Sequence, residues 1–326
     1  MYRMEKALKR LVSRVFNATR IFDNVQHSQQ QFQQLRDEIS AQRDHIMMLQ
    51  GKMLVDQIQA HGIYQNIHDS EFKVYSQFGD DGILQYLIHQ IRPEYHTFIE
   101  FGVQDYSEAN TRFLLTNNNW RGLIIDGDEK AMSNLQMDEI YWRHDLTAVG
   151  AFVTRENINQ LFRDNGFSGE IGMLSIDIDG NDYWIWEAVD SVDAVIVTVE
   201  YNSIFGAQHA ITVPYDPAFY RTKAHYSNLY WGSSLKALCL LAESKGYVFV
   251  GCNSNGNNAH FVRKDMVGKI PVKSAESGYV ESKFRESRDE QGNLTFLRGQ
   301  QRLEIIKEMP VFDVENSRRI LIKDLF

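Results

Sequence analysis

Apolar residues recur every seven positions over residues 21–56. Val25, Phe32, Ile39, Ile46 and Met53 form one series, and Ile21, Ser28, Leu35, Gln42, Leu49 and Asp56 fill the companion positions. The first series is wholly apolar and the second is half polar. This pattern, with its Gln-rich flanks, predicts a coiled coil that weakens at Gly51 and suits self-association, the polar companion positions fitting a partner seam better than a domain core. A single amphipathic helix docked on the globular domain is the alternative. From residue 70 onward the pattern becomes strand–helix alternation. Helices are predicted over 79–93, 109–117, 130–137, 157–165, 183–189 and 234–245. Strands are predicted at Thr97–Phe101, Gly122–Asp126, Ile140–His144, Gly172–Ile178, Val195–Glu200, Tyr247–Gly251 and Ala259–Arg263. The short, Asn-rich loop 253–258 makes the last two strands antiparallel neighbours. The expected fold is therefore α/β, a mostly parallel seven-stranded sheet with one reversed strand. It divides the chain into a basic amphipathic helix (1–20), a coiled-coil helix (21–62), an α/β domain (70–265) and a polar C-terminal extension (266–326) packing on that domain.

The bulk numbers are those of a globular protein, 43% hydrophobic and 24% charged over 326 residues. A formal charge of -9 argues against nucleic-acid partners, whose phosphates require Lys and Arg. Two cysteines, Cys239 and Cys252, leave no disulfide framework and favour a reducing, cytoplasmic location. No run of 18 apolar residues predicts a spanning helix, and residues 1–20 lack the apolar core of a secretory signal. They do set Arg3, Lys6, Lys9, Arg10, Arg14 and Arg20 beside Met4, Leu8, Leu11, Val12, Val15 and Phe16 at helical spacing. Such a helix suits peripheral contact with the anionic inner membrane, or packing on protein.

Candidate chemistry gathers where strands end, since ligands of parallel α/β sheets bind at the carboxyl edge. Glu100-Phe-Gly102 closes the first strand, and Gly102 removes the Cβ that would block a small molecule from the backbone. Asp126-Gly-Asp128 closes the second, about 25 residues further on, where a carboxylate can accept hydrogen bonds from ribose hydroxyls. Asp145, after the expected third strand, is a candidate for the adenine side of that pocket or a helix cap. The run Leu174-Ser-Ile-Asp-Ile-Asp-Gly-Asn-Asp182 ends the fourth strand in Asp177, Asp179 and Asp182, and the fifth ends in Glu200 and Asn202. Asp177, Asp179, Glu200 and Asn202 are hard oxygen donors suited to Mg2+ or calcium. Asp182, just before Tyr183, suits a helix cap instead.

Taken in order, Phe98-Ile-Glu-Phe-Gly-Val, Trp120-Arg-Gly-Leu-Ile-Ile-Asp-Gly127 and Leu174-Ser-Ile-Asp-Ile-Asp-Gly resemble the FkbM-like S-adenosylmethionine-dependent methyltransferases over roughly residues 72–265. The resemblance implies the Rossmann-like class I methyltransferase fold and methylation of hydroxyls, often on sugars of natural products or surface glycans. It implies that Glu100 and Gly102 contact the amino-acid end of the cofactor, that Asp126 holds its ribose, and that Asp177 and Asp179 face the transferred methyl. The chain departs from the pattern in having Asp105-Tyr106 where later glycines of the first loop belong, and Asp179-Gly-Asn-Asp182 in the fourth-strand loop.

Methylating a sugar hydroxyl requires help in removing its proton, from a general base or from a divalent cation. Asp177 and Asp179 are candidates, as are His225 and His260, which titrate near neutrality. Tyr215, Tyr220, Tyr226, Tyr230 and Trp231, in the long irregular segment after the fifth strand, offer faces for stacking on a sugar or form an aromatic lid. The expected activity is S-adenosylmethionine-dependent O-methylation of a glycan or surface-polysaccharide precursor, with possible metal assistance. The alternatives are a metal-dependent glycosyltransferase using Asp177-Ile-Asp179 or Asp126-Gly-Asp128 on a nucleotide-sugar, and a non-catalytic coiled-coil scaffold.

Overall fold

The structure, a computed structural model, describes residues 2–325, with side chains from Gln26 onward except Asp37. Helix α1 runs over Tyr2–His61, and the chain divides into two compact units between Gln50 and Gly51. In the first unit Phe32, Leu35, Ile39, Ile46 and Leu49 are all exposed, so the heptad stripe is left open to solvent in the single chain. The side chains of Val25 and of the basic stretch 1–20 lie outside the described residues. Among the described residues no helix is long and apolar enough to cross a membrane.

The second unit carries the α/β fold. Its first helix, α2 (Asp80–Ile91), leads into β1 (Thr97–Phe101); α3 (Arg112–Asn118) leads into β2 (Arg121–Asp126). Two short helices, α4 (Glu129–Leu135) and α5 (Glu139–Arg143), precede β3 (Leu146–Gly150). Then come α6 (Ile158–Asp164), β4 (Gly169–Ile176), α7 (Asp182–Ala188) and β5 (Val192–Glu200). The irregular segment holds β6 (Ile211–Thr212) and the one-turn α8 (Arg221–Ala224) before α9 (Leu235–Ser244), β7 (Tyr247–Cys252) and β8 (Asn258–Arg263). The C-terminal part adds α10 (Ala275–Gly278), α11 (Gln300–Ile306), β9 (Pro310–Asp313) and β10 (Arg318–Leu321).

The main sheet has the order β3-β2-β1-β4-β5-β8-β7, with β8 antiparallel to both its neighbours and the rest parallel. This is the Rossmann-like sheet of class I methyltransferases, as expected from the sequence. Its central strands read as continuous apolar runs because helices cover both faces: β4 is buried from Ile171 to Ile176, and β5 from Ala194 to Glu200.

The stretch expected as the third strand is helical. Ile140–His144 forms α5, not a strand: the Asp138 carboxylate accepts the Ile140 backbone N–H at 2.9 Å and starts a helix there. Only Ile140 of α5 is buried, while Trp142 is 73% exposed, so no alternation fixes a strand. The third strand follows at Leu146, beyond the helix.

The extension does more than wrap the surface. Strands β9 and β10 join β6 in a second, three-stranded antiparallel sheet, with β9 in the middle. Ile306, Val311 and Ile322 from the tail bury against Phe205, Ile211, Val213, Leu229 and Tyr230 in a small core of their own.

Candidate active site

The carboxyl ends of β1, β2, β4 and β5 open into one cleft of about 1310 Å³. That exceeds the roughly 300–1,000 Å³ usual for a single small ligand, leaving room for two reactants. Gly102, Asp105, Asp126, Asp128 and Phe152 line one end; Asp177, Asp179, Glu200, Arg221 and Trp231 line the other.

At the first end the turn after β1 is welded to its neighbours. Gly102 adopts φ +76°, and a Cβ there would stand 1.5 Å from the Asp177 carbonyl oxygen. The glycine is required for backbone to lie on backbone, a tighter constraint than ligand approach alone. Asp126 lies at the tip of β2, its two oxygens accepting the backbone N–H groups of Gln104 (2.7 Å) and Asp128 (2.8 Å). Asp128 caps α4 through Lys130 and Ala131.

Two residues expected at this end are elsewhere. Glu100 is buried and does not line the cleft; its oxygens accept from Asn110 N and Thr111 N (both 2.9 Å), from Thr111 Oγ1 (2.5 Å) and from Ser175 Oγ (3.3 Å). It anchors the segment entering α3, and burial keeps its pKa above the usual carboxylate range despite those bonds. Asp145 precedes β3 and so sits at the opposite, amino edge of the sheet, exposed beside Arg121 at 3.9 Å. The misplaced third strand explains the error. The residues that do follow β3 into the cleft are Ala151, Phe152 and Val153.

The acids of β4 and β5 meet because the strands are in parallel register. Ile176 pairs with Val199, so Asp177 and Glu200 are the next residues on adjacent strands. Both carboxyl groups line the cleft there, close enough for each to act on the other. Burial, then the charges of Asp179 and Asp182, raises the Asp177 pKa well above normal; burial, then the charge of Asp177, does the same for Glu200. Glu200 Oε2 is buried with no hydrogen-bond partner. Such a pair retains a proton that isolated carboxyls would lose.

The neighbouring acids are committed to other tasks. Asp182 is fully buried and accepts from Ile178 N (2.9 Å) and Gly180 N (3.0 Å), bracing the loop across its base rather than capping α7; burial pushes its pKa up to about 6. Asp179, at φ +56°, stands out from that loop and pairs with Arg221 at 2.6 Å.

The expected four-donor metal set is not assembled. Asn202 is buried, with its amide nitrogen donating to the carbonyls of Leu229 (3.0 Å) and Trp231 (2.9 Å) and its oxygen accepting from Ile204 N (3.1 Å). Asp179 is held by Arg221, which leaves only Asp177 and Glu200 turned toward one another. Among the described residues no group of three or more His, Cys, Asp or Glu is disposed to hold an ion.

Neither histidine lines the cleft. His260 is fully buried in β8 opposite Thr198, whose Oγ1 lies 3.0 Å from His260 Nδ1. Its Nε2 is 3.2 Å from Asp80 Oδ1. Asn253 and Asn258 complete this network by donating to Asp80. Burial raises the Asp80 pKa, but these contacts outweigh it and hold the pKa below normal. His225 bonds Ser227 through Nδ1 at 2.8 Å, outside the cleft, and burial lowers its pKa.

Of the aromatic residues singled out, Tyr220 and Trp231 line the cleft, and Phe219 joins them. Tyr230 instead bonds the Pro310 carbonyl in the small core, and Tyr215 bonds Glu156. Gln77, from the turn before α2, and Ser282, Phe284, Glu286 and Arg302, from the extension, also line the cleft, though no motif marks them. The one available signal was the run of charges over 281–290, which contains Glu286.

No family model and no curated protein matches the chain. Among solved structures it is similar to the DszA carbon methyltransferase (12% identity, TM-score 0.37, covering 57% of this chain and 53% of that one). It is also similar to a putative O-methyltransferase from Klebsiella pneumoniae (12%, TM-score 0.35, covering 64% and 87%). A third is an O-methyltransferase from Bacillus cereus in complex with SAH (14%, TM-score 0.33, covering 64% and 88%). The chain spans about half the length of the first of these, 53%. At such scores the likeness adds no argument of its own; the fold rests on the strand order.

Proposed function

We propose that this protein is an S-adenosylmethionine-dependent O-methyltransferase that methylates a sugar hydroxyl. The observation that carries the reading is the Asp177–Glu200 carboxyl pair, set side by side by the β4–β5 register in a cleft large enough for two reactants, with burial and mutual charge raising both pKa values. The donor is assigned to the opposite end on charge: Asp105, Asp126 and Asp128 suit a cation, and we assign Asp126 to the ribose and Phe152 to an adenine face. When bound, S-adenosylmethionine supplies an electrophilic methyl group. The chain's own residues then bind the acceptor, orient it and take its proton. Tyr220 and Trp231 offer flat faces to a sugar. Asp177, the more open member of the pair, takes the hydroxyl proton while Glu200 beneath it keeps the shared one. No step is assigned to a metal, because Asn202 and Asp179 are engaged elsewhere.

Calorimetry on the full chain tests this against the nucleotide-sugar alternative. S-Adenosylmethionine is expected to bind and nucleotide-sugars to bind no better than free nucleotide. The converse result would move the assignment to glycosyl transfer, where Asp177-Ile-Asp179 would have to act even though Asp179 is paired with Arg221.

We also infer that the exposed stripe on α1 self-associates with a second copy of the chain, because its apolar a positions have polar companions suited to a two-chain seam. Ile39→Glu with Ile46→Glu is then expected to reduce the mass seen by sedimentation to that of one chain. An unchanged mass would remove the coiled coil from the account.

A further inference from the structure

Two arginines line the cleft in opposite circumstances. Arg221 is saturated: Nη1 pairs with Asp179 at 2.6 Å, Nη2 with Glu286 at 3.6 Å, Nε donates to the Asn228 carbonyl at 3.0 Å, and the guanidinium lies 4.7 Å over the Trp231 ring. Arg302, on α11, is only 6% exposed, yet its Nε has no hydrogen-bond partner. Its Nη2 makes a long bond, 3.3 Å, to the Ser282 carbonyl. Burial lowers its pKa, against the opposing charges of Glu281 and Tyr279, and no carboxylate forms an ion pair with it among the described residues.

Arginine stays protonated in proteins, so a buried guanidinium without a counterion is strongly unfavourable. A partner arriving with a ligand removes that penalty. The wall that carries Arg302 is fixed to the segment that follows Glu200: Ser282 N donates at 3.0 Å to the Oγ of Ser203, three residues beyond the end of β5. The acids elsewhere in the cleft repel an anion: Lys130 lies among Asp126, Asp128 and Glu129 at the other end, and Arg221 is already paired, which leaves Arg302 as the favoured position.

We propose that Arg302 anchors a carboxylate or phosphate on the acceptor, which makes the acceptor an acidic sugar rather than a neutral one. The planar fork of the guanidinium suits either group through paired hydrogen bonds. The site rests on the methyl-transfer reading only for what happens at the hydroxyl; recognition of the anion is read by binding alone.

The test is calorimetry on the full chain, without donor, using glucuronate, glucose 6-phosphate and glucose. One of the two acids is expected to bind at least tenfold more tightly than glucose, and which one identifies the anion. Arg302→Gln is expected to erase that preference, while Arg302→Lys, which keeps the charge and guards against a folding artefact, retains part of it. Equal binding of all three sugars, or a preference that survives in Arg302→Gln, overturns the assignment. Acid-selective binding without methyl transfer to the bound sugar would leave Arg302 in place and sink the methyltransferase reading instead.

Discussion

Asp177→Asn is expected to reduce methyl transfer by about 10²–10⁴-fold, the usual contribution of a positioned general base, while donor binding is unchanged. A loss of less than tenfold in kcat would take Asp177 out of the proton-transfer step. The pH dependence gives an independent check. The pair's pKa values lie above the ordinary carboxylate range, so activity should rise with pH along an acid limb displaced upward from about pH 4. In Glu200→Gln the like charge is gone, and that limb should move to lower pH. Stability must run the other way. Folded-state pKa values above the unfolded ones mean that the native chain binds more protons, so stability falls as pH rises from about 4 through the pair's raised values. Glu200→Gln should therefore be more heat-resistant than the parent at neutral pH, with the advantage fading in acid. Equal melting temperatures at neutral pH would show that the pair imposes no such cost.

Gly102→Ala is expected to be the most disruptive single-methyl change in the fold. The new Cβ would fall 1.5 Å from the Asp177 carbonyl oxygen, and the backbone at φ +76° already disfavours a side chain. Neither the β1 turn nor the tip of β4 can yield without displacing the Asp177–Glu200 pair. A loss of about 4 kcal/mol or more follows, in the range reserved for severe backbone conflict, which for a unit of this size is a fall of roughly 10 °C in Tm. Thermal unfolding would measure it, and a shift within two degrees would mean that the two strand tips are less tightly joined than described.

What the sequence revealed was whatever is local. The apolar runs of β4 and β5 broken by Asp177 and Glu200 gave both the strands and the floor of the cleft. The turn-rich loop 253–258 gave the antiparallel pair β7 and β8. The errors have non-local causes. Asn202 looked like a metal donor because its partners, the Leu229 and Trp231 carbonyls, lie in a segment without periodicity. His260 looked like a base because Asp80, the buried residue it packs against, comes from a helix far earlier in the chain. The second sheet in the tail was not legible because Ile306, Val311 and Ile322 are isolated apolar residues whose core exists only once β6 meets β9. Arg302 was invisible for the same reason.

That late-arriving sheet has a consequence for how the protein can be controlled. Polypeptides are made from the N-terminus, so every residue proposed to hold the donor is synthesised well before the strands that complete the opposite wall. Removing the chain beyond a cut between β8 and α11 would strip two-residue β6 of its hydrogen-bonding neighbour and take Arg302 with it, while leaving Asp126 and Phe152 untouched. Proteolytic trimming of this kind would yield a species that still sequesters donor but no longer discriminates among acceptors.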